Sequence, residues 1–120
     1  MKDGALVSKS FAFAIRVVNL HRFLCGEQRE FTLSKQILRS GTAIGALVRE
    51  AQHAESKADF VHKLAIALKE ANETDYWLAL LRETNYLDAD AACSMQADNE
   101  ELLRLLVSII KSTKQNSDRR

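Results

Sequence analysis

The chain has 120 residues, 47% of them hydrophobic, with no proline and only four glycines. That length and content fit one domain with a modest core, and the missing proline favours long uninterrupted helices. The net charge of +1 excludes a dedicated polycation, and the apolar runs are far shorter than the roughly 20 residues a membrane span needs.

The charge is unevenly distributed. Residues 1–49 carry a net +5, residues 50–101 a net −8 and residues 102–120 a net +4. Such segregation either builds a basic and an acidic face or cancels within one bundle. Met1 is followed by the polar "KDGA", so no secretory leader is expected. Cys25 and Cys93 lack metal or redox spacing, which fits a reducing cytoplasm.

The first apolar segment runs from about Leu6 to Leu24. Phe11, Ala14, Ile15, Val18 and Phe23 fall near helical spacing and read as its buried face. Gly26 follows as a C-terminal cap, since glycine enters the left-handed region without penalty. The second helix starts at Thr32 as N-cap and runs to about Ala54. Its seam is Leu33, Ile37, Ser40, Ile44, Leu47 and Ala51, in alternating steps of four and three. Gly41 and Gly45 lie inside it, although each glycine costs a helix interior about 1 kcal/mol against alanine. One turn apart, they share a face on which another backbone can approach closely, either the first helix or a helix of a neighbouring subunit.

Ser56 and Asp59 have the spacing of a capping box and open a third helix after a very short turn, which forces helices two and three antiparallel. Phe60, Leu64, Ala67, Ala71, Thr74, Leu78 and Leu81 form its seam, over a length of about 42 Å. Asn85 caps its end and Asp88 opens a fourth helix, continuous through Asp98, with Met95, Leu102, Leu103, Leu106, Ile109 and Ile110 facing inward. The expected architecture is all-α: an antiparallel up-down-up-down four-helix bundle over residues 1–115. Residues 116–120 form a polar tail that frays.

Chemistry-bearing constellations are sparse. Glu50 with His53 and Asp59 with His62 are carboxylate-x-x-His pairs, the spacing used by di-iron bundles. Asp59 is already explained as a cap, Glu70 lies about 12 Å further along the axis from His62, and helices one and four offer no inward carboxylate at that level. No metal and no cofactor is expected. His21 reads as a boundary residue. No nucleophile stands beside a base and no glycine-rich phosphate loop occurs, so the chain is not expected to be an enzyme.

Two surface readings remain. Lys35, Arg39 and Arg49 on helix two, with Lys9 and Arg16 on helix one, form a candidate stripe for a nucleic-acid backbone. No aromatic residue interleaves with them, so base stacking is not supported. In "KEANETDYW", Trp77 is either a core residue or an interface anchor, with Tyr76, Glu73 and Asp75 beside it to meet a basic face on the next subunit.

"KSFAFAIRVVNL", "LSKQILRSGTAIGALVREAQHAES", "DFVHKLAIALKEANETDYWLALL" and "EELLRLLVSIIKS" together resemble the small proteins encoded in intervening sequences of bacterial 23S ribosomal RNA genes. The resemblance spans nearly the whole chain, and "RSGTAIGA", "AES", "DF" and "KEANETDYW" are its specific blocks. It implies an antiparallel four-helix bundle assembled as a homopentameric ring around a channel. A relative within the wider family is the accessory protein of diversity-generating retroelements, which binds nucleic acid and a reverse transcriptase through basic surfaces. The implied partners are therefore further copies of the chain, then RNA or DNA, with a protein-only scaffold as the alternative.

Overall fold

The computed structural model describes residues 2–118. Four helices follow in order: α1 (Lys2–Gly26), α2 (Leu33–Ala51), α3 (Lys57–Glu83) and α4 (Ala89–Asp118). Among the described residues, contact runs around a square, α1 to α2 to α3 to α4 and back to α1, and not across its diagonals. Short turns make each neighbouring pair antiparallel, and the result is a rod of 54 × 22 × 20 Å. The core is a continuous column of buried aliphatic side chains with one large aromatic, Phe13, among them.

The turns follow the expected chemistry in the second half of the chain. The Ser56 hydroxyl accepts the Asp59 N–H at 3.0 Å, and the Asp59 carboxylate reaches back to accept the Glu55 N–H at 3.2 Å. Asn85 takes a left-handed conformation with φ of 66° after α3. The Tyr86 N–H returns to the Leu81 carbonyl at 3.0 Å, which satisfies an orphan carbonyl at the helix end. Asp88 then caps α4 by accepting the Ala91 N–H at 2.8 Å. α4 continues without a break past Asp98 to Asp118; Arg119 and Arg120 lie outside the described residues.

The first half departs from expectation in four places. Gly26 is the last residue of α1 rather than a left-handed cap, because the Glu27 N–H still bonds the Phe23 carbonyl at 2.8 Å. The left-handed residue is Arg29, with φ of 54°. Thr32 stands at the N-cap position but makes no side-chain cap; the Glu30 carboxylate accepts the Ser34 N–H at 2.8 Å and the Thr32 N–H at 3.3 Å instead. α2 ends at Ala51, three residues early, in tight i to i−3 bonds from His53 and Ala54.

The fourth correction concerns the face of α1. The buried residues are Leu6, Ser10, Phe13, Val17, Leu20 and Leu24, while Phe11, Ile15 and Phe23 are 52%, 50% and 39% exposed. The buried set has steps of four and three throughout, but a serine interrupts its hydrophobicity. α2 turns correspondingly: Ser34, Gly41 and Val48 are buried with Ile37, Ser40, Ile44 and Ala51, whereas Leu33 and Leu47 are only half-buried.

The glycines explain both rotations. A β-carbon at Gly41 would lie 2.7 Å from a Val17 methyl, and one at Gly45 would lie 3.2 Å from the Ser10 carbonyl oxygen. The close partner of the glycine face is therefore α1 of the same bundle.

Two stability predictions follow from these contacts. Gly45→Leu sets side-chain carbon against a backbone oxygen that cannot swing aside, at a cost of about 1–3 kcal/mol, or about 4–12 °C in melting temperature. Thermal denaturation followed by circular dichroism checks it, and a wild-type melting curve would refute the close-approach account. Ser56→Ala removes the α3 cap and costs about 1 kcal/mol; a loss below a few tenths of a kcal/mol in urea titration would show that water replaces the serine without penalty.

Candidate interaction surfaces

The five candidate phosphate-binding cations do not share one face. Lys9 pairs with Glu101 at 3.3 Å. Arg16 donates to the Asp98 carboxylate at 2.6 Å and to the Ser94 hydroxyl at 3.1 Å, so both lie along the α1–α4 seam. Arg39 crosses the α2–α3 seam to Glu70 at 3.2 Å and to Glu73. Arg49 lies over the Phe11 ring, 4.9 Å from its centroid, on the α1–α2 face. Lys35 is exposed near the start of α2.

The basic first segment and the acidic middle segment thus meet within the chain at three cations, Lys9, Arg16 and Arg39. Exposed pairs of this kind contribute little stability, about 0–1 kcal/mol each. Their larger effect is to leave Lys9, Arg16 and Arg39 already engaged before any phosphate arrives.

The aromatic and acidic cluster on α3 is also satisfied internally. The Trp77 indole N–H donates to the Glu73 carboxylate at 3.0 Å, and Arg39 binds the same carboxylate. Trp77, then Arg39, holds the Glu73 carboxyl below the usual carboxylate range, and Glu73 followed by Glu70 raises the Arg39 guanidinium above its own. Tyr76 is 59% exposed and packs edge-on to Trp77, with ring centroids 5.1 Å apart. Asp75 accepts from the Gln96 amide at 3.3 Å. Trp77 is half-buried against the core, so its first task is packing within its own bundle.

Around the second turn, Glu50 pairs with Lys63 at 3.2 Å and Asp59 is used as the α3 cap. Among the described residues, no group of three or more His, Cys, Asp or Glu side chains is placed to hold a metal ion. Among the same residues, no helix is long and apolar enough to cross a membrane.

Two further features lie outside the sequence expectations. One is a small polar latch at the α1–α2 turn. His21 Nδ1 lies 3.2 Å from the Ser34 carbonyl oxygen, and Cys25 Sγ lies 3.7 Å from His21 Nε2 and 3.6 Å from the Ser34 hydroxyl. The four-residue step from His21 to Cys25 is a helical neighbour spacing and is the signal for this contact. The other is the outward apolar surface. Phe11, Ile15, Phe31 and Val107 are each at least half exposed. Phe11 and Ile15 stand one turn apart on α1, and Phe11 with Ala14, Thr42, Gly45, Ala46 and Arg49 lines a shallow groove between α1 and α2.

No curated protein was found to match this chain. A crystal structure from Bacteroides thetaiotaomicron VPI-5482, described as a protein with unknown function from the S23 ribosomal protein family, shares 58% identity. It superposes with a TM-score of 0.92, covering 92% of this chain and 99% of that one. The family model for 23S rRNA-intervening sequence proteins matches residues 2–108, which take in α1, α2, α3 and α4 as far as Ser108. Sequence and fold agree over nearly the whole length, and the chain belongs to the 23S rRNA-intervening sequence protein family.

Proposed function

We propose that the chain is a non-enzymatic scaffold that works by self-assembly, with the outward face of α1 contacting a further copy. The observation that carries this reading is the pair Phe11 and Ile15, both about half exposed while a parallel stripe of α1 fills the core. Large apolar side chains left on a helix face are best accounted for by a partner that covers them. A heterologous contact of this kind closes into a ring when the rotation between copies allows it, and the family resemblance favours five copies. Glu73 and Asp75 contribute less to such a contact than the sequence suggests, because Arg39, Trp77 and Gln96 of the same chain already occupy them.

One observation favours a second reading, contact with a nucleic-acid backbone. Arg104, Lys111 and Lys114 stand exposed on α4, outside the ion pairs that engage Lys9, Arg16 and Arg39. Repeating this small patch in an assembly would add avidity. It supports a phosphate-binding role carried by α4 rather than by the helix-one and helix-two stripe.

Light scattering tests the first reading. Burying a Phe or Ile side chain contributes about 1.5–3 kcal/mol, so the double change Phe11→Ser with Ile15→Ser weakens the subunit contact by two or more orders of magnitude and lowers the mass. Trp77→Ala lowers the melting temperature instead, since its ring packs within its own bundle. An unchanged mass for the double variant would overturn the assignment of α1 as the contact face. Retardation of RNA or DNA tests the second reading. Binding that weakens with salt and is lost on changing Arg104, Lys111 and Lys114 to glutamine supports it, and salt-insensitive binding or none refutes it.

A further inference from the structure

A cleft lies at the end of the bundle where α1 meets the α3–α4 turn and the start of α4, with a volume of about 740 Å³. That is within the about 300–1,000 Å³ of small-molecule sites. We propose that this cleft binds a small organic acid with a flat apolar body, its anionic group held by Arg82. The site shares no residue with the α1 contact face above, so it stands or falls separately from self-assembly.

The lining has the composition of a ligand site. Leu20, Leu87 and Met95 supply a buried apolar floor. Phe23 from α1 and Tyr86 from the α3–α4 turn supply aromatic walls, and Phe23 is 39% exposed although its neighbour Leu24 is fully buried. An aromatic side chain left open above an apolar floor is suited to a flat ring, which gains from offset or edge-on contact. Asn19, Gln28 and Asn85 add amides able to give or accept hydrogen bonds.

The charges of the lining indicate an anion. Arg16 is committed to Asp98 and Ser94 on α4, and Asp88 to the backbone N–H of Ala91. Arg82 has weaker ties: a 3.5 Å pair with its chain neighbour Glu83, both side chains being well exposed, and a 3.6 Å contact with Cys93 Sγ. A guanidinium so loosely held can exchange these contacts for two parallel bonds to a carboxylate, sulfonate or phosphate. The cleft therefore selects a ligand with an apolar ring and one anionic group, and discriminates against a bare anion or an uncharged ring.

The probe is 1-anilinonaphthalene-8-sulfonate, a flat aromatic sulfonate, titrated into the intact wild-type protein and followed by fluorescence. Saturable binding is expected. Arg82→Gln and Phe23→Ser should each weaken it about tenfold or more, and Val107→Ser, which alters an exposed apolar side chain elsewhere, should not. Arg82 and Phe23 are both exposed, so neither change removes core packing, and unaltered circular dichroism confirms that. The proposal is overturned if binding does not saturate, or if it is unaffected by both substitutions. Equally tight binding of the uncharged analogue N-phenyl-1-naphthylamine would remove the role of Arg82, and displacement of the probe by equimolar inorganic phosphate would remove that of the aromatic walls.

Discussion

The contact on which the rest of the bundle depends is the approach of α1 to the glycine face of α2. With only a hydrogen at positions 41 and 45, α2 admits the Val17 side chain at one level and the Ser10 backbone at the next. The loss of helix propensity, about 1 kcal/mol per glycine, is offset by closer packing of two long helices. Docking there sets the rotation of α1 about its own axis. Leu6, Phe13, Val17, Leu20 and Leu24 turn inward, and Phe11 and Ile15 must turn outward. The same rotation carries Lys9 and Arg16 to the α4 side, within reach of Glu101 and Asp98. The outward apolar face and the spent cations are thus two consequences of one packing decision.

Charge segregation along the chain has a corresponding meaning. A basic first half and an acidic middle would repel within themselves if either formed a single face. In the antiparallel square, α2 sits beside α3 and α1 beside α4, so each basic helix borders an acidic one. The pairs are exposed and individually weak. They engage Lys9, Arg16 and Arg39, while Lys35 stays exposed and Arg49 lies over Phe11, so the charge that α1 and α2 offer an external polyanion is divided among separate faces.

What was legible in the sequence divides along the same line. The α3 seam was legible because Leu64, Ala67, Ala71, Thr74, Leu78 and Leu81 recur in unbroken steps of three and four, and all six are buried. The Ser56–Asp59, Asn85 and Asp88 turns were legible because their capping chemistry is local. α1 was not, because it carries apolar residues on two faces and buries Ser10 on the face that goes inward. Periodicity alone cannot rank two stripes when one meets the core and the other a surface. The cation stripe is divided among seams for a related reason: spacing on one helix reports which residues share a face, while the partner across the seam decides what their charge meets. Gly26 and Thr32 had suitable residue types, but Arg29 and the Glu30 carboxylate perform those tasks at the α1–α2 turn.

Among the described residues, three of the four neighbouring helix pairs are fastened by a buried, specific contact. α1 and α2 have the glycine face. α2 and α3 have the Thr74 hydroxyl donating to Ser40 at 2.9 Å, with both residues fully buried. α3 and α4 have the buried Asn99 amide donating to the Ala71 carbonyl at 2.9 Å. Buried polar contacts of this kind leave an unpaired group if a helix slides by one turn, so they oppose register slips even where they add little net stability. The fourth pair, α1 with α4, is held by surface ion pairs at Lys9 and Arg16, and it is the least extensive of the four contacts. Beyond Arg16 the bundle opens into the cleft above Leu20 and Met95. A bundle closed by three specific seams and one electrostatic seam has a defined place to open, and the cleft lies at the end of the seam whose two helices touch least.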